Sequence, residues 1–444
     1  MSDSTNFSRR DFVKAAGGAA AATIVSAAPA LASVTPLARR RYAIVGTGVR
    51  GIGMWGRPLV ERYADALEFV GLCDPNHKRV AVAKESIGVA CPTFTNFEEM
   101  MDKAKPDLLM VTTVDTHHRE YIVKGLERGA DVITEKPMVI NEEQCQDVLD
   151  AEKKTGKKIV VTFNYRYAPK HQKIKEILLS GELGNVTSVD FSWFLDVRHG
   201  ADYFRRWHRL KSKGGSLWVH KATHHFDLIN WWLGADPVEV VAHGDLNVYG
   251  RANDYRHTHC RPCPHKAKCP FYFDITKAPQ LMKLYVGCED VDNYHRDGCV
   301  FREDVDIYDT MSALVKYSNN VTMNYSLNAY LPIEGYRLTF DGEKGRLEVR
   351  DYERQPWQVE DETEIYLTKS FGKREKITVP RAEGGHGGGD DRLRDLIFRK
   401  VSVPDYMRLP DSRAGAMSCL TGIAARTSVE KKRPVKISEL MKIS

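Results

Sequence analysis

The stretch "YAIVGTGVRGIGMWGR", residues 42–57, joins a short apolar strand to a glycine-rich turn. Gly46, Gly48 and Gly51 give the spacing G-x-G-x-x-G. In such a turn the first glycine permits the tight bend, the second lets backbone approach a pyrophosphate, and the third lets the next helix pack close to the strand. The backbone N–H groups that open that helix, here at Val49 and Arg50, form the anion site. A second strand, "LEFVGLCD", ends in Asp74, 28 residues after Gly46. The usual interval is about 20 residues, so the connection here must be longer. A carboxylate at that strand end accepts hydrogen bonds from a ribose 2′-OH. It repels a 2′-phosphate, which favours NAD over NADP, while Lys78 and Arg79 nearby keep NADP open.

Strands and helices go on alternating. "PDLLMVTTV" and "ADVITEKP" read as strands with "HREYIVKGLERG" as the helix between them, and "KIVVTFNYRYAP" follows after another helix. That alternation predicts a parallel sheet covered on both faces, with ligands beyond the carboxyl ends of its strands. Thr112, His117, Glu135 and Lys136 fall at such ends. Farther on, "DVDIYDTMSALVKYSNNVTMNYS" alternates apolar and polar residues and turns at Asn319-Asn320, which predicts a β-hairpin in a second sheet. "SRAGAMSCLTGIAARTSVEKKR" reads as a helix that closes the chain. The expected fold class is α/β: an N-terminal Rossmann domain over residues 40–165, then a second α/β domain over 166–444 that contains a cysteine-rich insert at 255–303.

The chain's 444 residues exceed one compact core. Its net charge of +6 is spread along the chain, with no basic block dense enough to imply nucleic acid. No apolar run is long enough for a membrane anchor. Residues 1–32 carry Arg9-Arg10, an Ala/Gly-rich apolar stretch and Ala30-Leu31-Ala32. This order resembles a twin-arginine signal, which implies export to the periplasm. That route moves folded proteins, commonly with cofactor already bound.

Together "GTGVRG" at 46–51, "EKP" at 135–137, "NYRYAP" at 164–169 and "GGSLWVHKATHHFDLINWWLG" at 214–234 resemble the glucose–fructose oxidoreductase / inositol dehydrogenase (Gfo/Idh/MocA) family. The resemblance implies a second domain with an open, mainly antiparallel sheet that forms the subunit interface of a homo-oligomer. It also implies NAD(P)-dependent chemistry on sugars and cyclitols.

Hydride transfer from a secondary alcohol needs a base for the hydroxyl proton and a cation near the developing alkoxide. Lys136 matches the lysine that serves this end in the family, and Glu135 lies on the nicotinamide-ribose side. The family reads D-x-G-x-H-x-x-D where this chain has His220, Ala222, His224 and Asp227. His224 therefore matches the catalytic histidine, and His220 replaces the usual carboxylate. Helical spacing puts His220, His224 and Asp227 near one face. The expected proton acceptor is His224, with His220 or Lys221 as further candidates. Tyr165, Trp207, His220, His224 and Lys136 are the expected substrate contacts, and Arg166 an expected cofactor contact by analogy. The loop "GGHGGGDDR" at 384–392 is expected to be a plain glycine loop.

Five of the nine cysteines crowd into residues 260–299. Cys260-x2-Cys263-x5-Cys269 with Cys299 predicts one structural zinc ion, with Cys288 or a nearby histidine as rival fourth ligand. An iron–sulfur cluster and disulfides stay open. The expected function is an exported NAD(P)-dependent oxidoreductase of a sugar, sugar derivative or cyclitol hydroxyl, with tightly bound cofactor. The alternative is an NAD-dependent glycoside hydrolase that oxidises C3 transiently and eliminates the aglycone. Family members of that kind typically lack the lysine found here at 136.

Overall fold

A computed structural model describes residues 39–358, 361–399 and 401–441. The signal read at residues 1–32 lies outside the described residues. The first sheet contains β1 (Arg40–Val45), β2 (Leu67–Cys73), β3 (Thr93–Phe94), β4 (Leu108–Val111), β5 (Asp131–Thr134) and β6 (Ile159–Val161). Its order is β3-β2-β1-β4-β5-β6, and every pairing is parallel. β4 is buried along its whole length, as a strand covered on both faces must be. The two-residue β3 carries too little apolar pattern to be legible in the sequence. Strand order reverses between β1 and β4, which opens a crevice beyond their carboxyl ends. Gly46 and Thr112 stand there, side by side.

The second sheet has nine strands: β7 (Val186–Asp196), β8 (Pro237–Asp245), β9 (Thr310–Tyr317), β10 (Thr322–Leu331), β11 (Glu334–Gly342), β12 (Gly345–Arg354), β13 (Glu362–Lys369), β14 (Arg374–Pro380) and β15 (Val435–Lys436). Only β7 and β10 pair in parallel; the other neighbours are antiparallel. Along β9, buried and exposed residues alternate, so one face packs on helices and the other is open. The hairpin forms where the Asn pair predicts it: Asn320 has φ +69° and the Tyr317 N–H donates to the Val321 carbonyl at 2.9 Å.

The helix Ser412–Lys431 packs on β8, on β6 and on the helices that carry His220 and His224, so it joins the two halves. Gly422 makes this approach feasible, because a Cβ there would lie 2.2 Å from the Trp218 carbonyl oxygen. The helix does not end the chain, since β15 then adds to the edge of the sheet beside β8. The cysteine-rich insert is the long excursion between the neighbouring strands β8 and β9. It crosses back to the first domain, where the Asn76 side chain donates to the Cys288 carbonyl and to Asp292, both at 2.9 Å.

Candidate active site

The glycine turn has the shape of a phosphate cradle. Gly46 holds φ +89°, and a Cβ there would lie 2.7 Å from the Thr112 backbone. Thr112 donates its hydroxyl to the Gly46 carbonyl, which locks the ends of β1 and β4 together. At Gly51 a Cβ would meet the Gly46 oxygen at 2.5 Å. Gly48, at the start of the helix Val49–Gly53, has no side chain of its own to cap it. The Val49 N–H donates instead to the hydroxyl of Tyr285, an insert residue, at 3.2 Å. Asp74 stands at the end of β2 as expected. Its buried carboxylate accepts from the Thr47 N–H at 2.9 Å and the Asn76 N–H at 3.0 Å. It thus braces the turn from below.

Arg50 reaches across the turn to Glu135, with Nε 2.6 Å from Oε1, and the Trp55 indole donates to the same oxygen at 2.7 Å. Burial pushes the Glu135 carboxyl up, but the Arg50 cation and the Trp55 hydrogen bond outweigh it and hold it below its usual range. Beside it the Lys136 ammonium donates to the His220 carbonyl at 3.2 Å. Burial brings Lys136 down to about 8, opposed by the Asp115 carboxylate and helped by Lys221.

His220, which stands where the resemblance expects a carboxylate, meets one from the other domain. His220 Nδ1 lies 2.5 Å from Oδ2 of Asp115, in the turn after β4. Both are buried. Burial pushes Asp115 up against the pull of Lys136 and Arg206. It pushes His220 well below its ordinary value, with Lys136 adding to the effect. Tyr203, Trp207 and His208 wall the imidazole at ring distances of 5.4, 5.7 and 4.1 Å. Trp207 has one face stacked on His208 at 3.6 Å, so that face is not open to a sugar.

The histidine segment is not one continuous helix. Leu217–His220 and Ala222–Leu233 are separate, with Lys221 at the break. His220 therefore turns to Asp115, and His224 turns to Tyr165 and His386, at ring distances of 4.7 and 5.6 Å. Among the described residues neither ring nitrogen of His224 has a hydrogen-bond partner, although the side chain is buried. Burial, followed by the charge of Lys136, pushes this imidazole well below its ordinary value. Lys221 lies over the Trp193 ring at 4.9 Å. Tyr165 and His386 also border a cleft of about 500 Å³ whose walls include Lys170, His199, Glu334 and Arg354.

Several expected contacts lie elsewhere. Arg166 is committed to a two-pronged ion pair with Asp227, at 2.7 and 2.5 Å. Asp227 is buried and the Arg166 side chain is only 11% exposed, so the pair braces the fold. Asp227 shares one helix with His224, and the break at Lys221 leaves His220 on another. His117 is exposed at the start of a helix. The buried neighbour His118 instead bridges the Pro137 and Thr113 carbonyls, at 2.7 and 3.1 Å. The glycine loop is a built part of the site: the His386 ring nitrogen lies 2.9 Å from Asp390 and 3.0 Å from the Asn164 amide. Asp390 in turn faces Arg50 at 3.6 Å. Asp115, Asn164 and Asp390 were missed in the sequence, and the run of five glycines around His386 was the one signal for that loop.

The zinc expected at Cys260, Cys263, Cys269 and Cys299 is not supported. Among the described residues no group of three or more His, Cys, Asp or Glu side chains is arranged to hold a metal ion. The four cysteines are free thiols that line one common cavity. Among the described residues, too, no helix is long and apolar enough to cross a membrane.

Residues 40–163 match the family profile described as "Oxidoreductase family, NAD-binding Rossmann fold", and residues 175–437 match "Oxidoreductase family, C-terminal alpha/beta domain", both under the Gfo/Idh/MocA name. The chain belongs to the Gfo/Idh/MocA oxidoreductase family. It is 40% identical over 431 residues to the putative oxidoreductase YteT of Bacillus subtilis (strain 168), which covers 91% of this chain and 99% of that one. An inositol 2-dehydrogenase of Salmonella paratyphi B is 26% identical over 193 residues, 43% of this chain and 54% of its own length. The WlbA dehydrogenase of Bordetella pertussis, solved with NADH and UDP-GlcNAcA, shares the fold at TM-score 0.62 and 17% identity, over 91% of this chain and all of its own. Like its family, the chain is an NAD(P)-dependent oxidoreductase with an NAD-binding Rossmann domain.

Proposed function

We propose that this family member moves hydride to or from a secondary hydroxyl of a sugar, sugar acid or cyclitol, and that its dinucleotide stays bound through turnover. The observation that carries the reading is the Asp115–His220 pair beside Lys136. Gly46, Gly48 and Gly51 with the N–H groups of Val49 and Arg50 would hold the pyrophosphate, and Asp74 would stand on the ribose side. Bound there, the nicotinamide supplies the hydride acceptor in one direction and the donor in the other.

The chain's own residues handle the proton. Asp115 accepts Nδ1–H of His220, which fixes the imidazole and leaves Nε2 to take the hydroxyl proton. Lys136 carries positive charge next to that point and stabilises an alkoxide as it forms. With burial holding it at about 8, it also gives up a proton near neutral pH. His224, with both nitrogens unpartnered, orients a second hydroxyl. The charged walls of the cleft beside Tyr165 and His386 suit a hydroxylated or acidic ligand better than an apolar one.

The insert supports retention. Tyr285 covers the glycine turn, and Arg79 pairs with Asp292 of the insert at 2.7 Å. Tyr285 takes the Val49 N–H that the pyrophosphate would use, so a nucleotide entering or leaving the turn must move this cover. A captive cofactor suits an enzyme that oxidises one carbohydrate and reduces another in alternation. It also suits export, which Arg9-Arg10 in a twin-arginine-like segment supports. Self-association through the open face of the nine-stranded sheet belongs to the same reading. Mass spectrometry of nucleotide released from the purified protein is the test, followed by nicotinamide absorbance across aldoses, uronic acids and cyclitols. A nucleotide-free protein that binds NAD only weakly removes the captive reading. Cleavage of aryl glycosides with no net change in nucleotide turns it to the elimination reading.

A further inference from the structure

We infer that Lys221 sets the specificity of the site, by taking the carboxylate of a sugar acid, either a uronate or an aldonate. The inference rests on the hydride-transfer reading above and names its substrate class. Lys221 stands at the break between Leu217–His220 and Ala222–Leu233, and it is only 3% exposed. Among the described residues its ammonium makes no ion pair and no hydrogen bond; the charges of Glu334, Glu353 and Arg354 act on it from farther off. It lies over the rings of Tyr165 and Trp193, at 5.5 and 4.9 Å from their centres. Other buried lysines here have partners. Lys170 pairs with Asp351, and Lys175 donates to the Trp231 carbonyl at 2.6 Å. A cation taken out of water without a hydrogen-bonded anion is costly, and ring faces offset only part of that.

Lys221 stands between the reacting groups and the cleft. Its charge acts on Lys136 and on His224. Lys136 in turn donates to the carbonyl of the peptide that joins His220 to Lys221. On the other side, Glu334, Glu353 and Arg354 wall the cleft together with Tyr165. Those three already have protein partners: Glu334 meets His199 at 2.8 Å, Arg354 meets Asp196 at 2.6 Å, and Glu353 meets Lys170 at 3.4 Å. A ligand entering by the cleft therefore meets an ammonium that no protein carboxylate pairs.

The charge balance points to a carboxylate. Burial pushes Lys221 down, against Glu334 and Glu353, and an arriving anion favours the charged form. One ammonium matches one negative charge. A phosphate monoester carries about two and would also face the carboxylates of Glu334 and Glu353. His224, whose ring lies 4.7 Å from that of Tyr165, is left for a hydroxyl of the same sugar. With the carboxylate on Lys221 one end of the sugar is fixed, and a secondary hydroxyl is held for Lys136 and His220.

The test is calorimetric binding and steady-state turnover of the purified full-length protein with matched pairs: glucuronate and glucose, galacturonate and galactose, gluconate and glucitol. Wild-type protein should bind at least one acid about 10- to 100-fold more tightly than its neutral partner, the worth of one charge-assisted hydrogen bond. Lys221→Met should remove that preference, through Kd and KM more than kcat, and Lys221→Arg should keep part of it. A lysine that merely packs on Trp193 would leave the acid-to-neutral ratio unmoved by Lys221→Met. Equal binding of acid and neutral partner by the wild type, binding of none of the acids, or a preference that survives Lys221→Met overturns the inference. If Lys221→Met does not fold, the wild-type ratio and Lys221→Arg decide. The two readings fail separately. Acid binding with no nicotinamide absorbance change removes hydride transfer and leaves the role of Lys221. Turnover with no acid preference removes that role and leaves hydride transfer.

Discussion

His220 Nδ1 and Asp115 Oδ2 are 2.5 Å apart, although 105 residues separate them in the chain. One comes from the second domain and the other from the strand end beside the glycine turn. Closing the two domains therefore assembles the acid–base pair. Asp115→Asn keeps the side chain's size but removes the charge that fixes the imidazole. It is expected to lower kcat by about 10²- to 10⁴-fold with bound nucleotide unchanged. His220→Ala should cost about the same, and the double variant little more, because the two act as a unit. Steady-state kinetics with nucleotide content as control checks this.

Lys136 sets a pH limit. Its folded value of about 8 lies below the ordinary 10.5, so between those values the unfolded chain binds the extra proton. Stability should therefore rise with pH across that window. As the amine loses its proton through the lower value, the charge beside the forming alkoxide is lost, so kcat/KM for alcohol oxidation should fall as pH rises through about 8. Lys136→Met is expected to abolish that limb of the profile and cut the rate by about 10²-fold or more. The pH profiles of kcat/KM for both proteins decide it.

Arg166 and Asp227 form a buried, two-pronged pair. Asp227→Ala leaves a buried guanidinium without its partner, which costs about 3–5 kcal/mol. Denaturant melts should show that loss, with no fall in nucleotide content per folded chain. A selective loss of nucleotide would return Arg166 to the cofactor site.

The insert contacts differ in burial, and their effects should differ too. The Lys78–Asp290 pair is solvent-exposed, while Arg79 in its pair with Asp292 is only 11% exposed. Lys78→Ala should change nucleotide release by less than about 1 kcal/mol, the ordinary worth of a surface pair. Arg79→Ala and Tyr285→Ala should each release nucleotide faster. Dialysis followed by measurement of the nucleotide left on the protein separates the cases.

What was legible in the sequence was local. The spacing of Gly46, Gly48 and Gly51 and the strand–helix alternation gave the parallel sheet, because each signal lies within a few residues. The Asn319-Asn320 turn was legible for the same reason. Asp115 was not, since an aspartate in "TTVDTHH" acquires meaning only when His220 is folded against it. His386 sits in what looks like a plain loop, because its contacts to Asn164 and Tyr165 span about half the chain. Helical spacing misplaced His220 relative to His224 and Asp227, because the break at Lys221 puts it on a separate helix. Trp207 and His117 looked available only because neither the stacking of His208 nor the burial of His118 is written in local pattern.

The most direct measurement is a single turnover without added nucleotide. Purified protein, as isolated, is mixed with a polyol or aldose that the panel has identified, and nicotinamide absorbance is followed. Wild-type protein should show reduction or oxidation approaching one nicotinamide per chain, and His220→Ala and Asp115→Asn should carry the same nucleotide yet react at least about 10²-fold more slowly. Wild-type speed in both variants, or wild-type protein with no nucleotide to observe, would contradict a captive cofactor served by the Asp115–His220 pair.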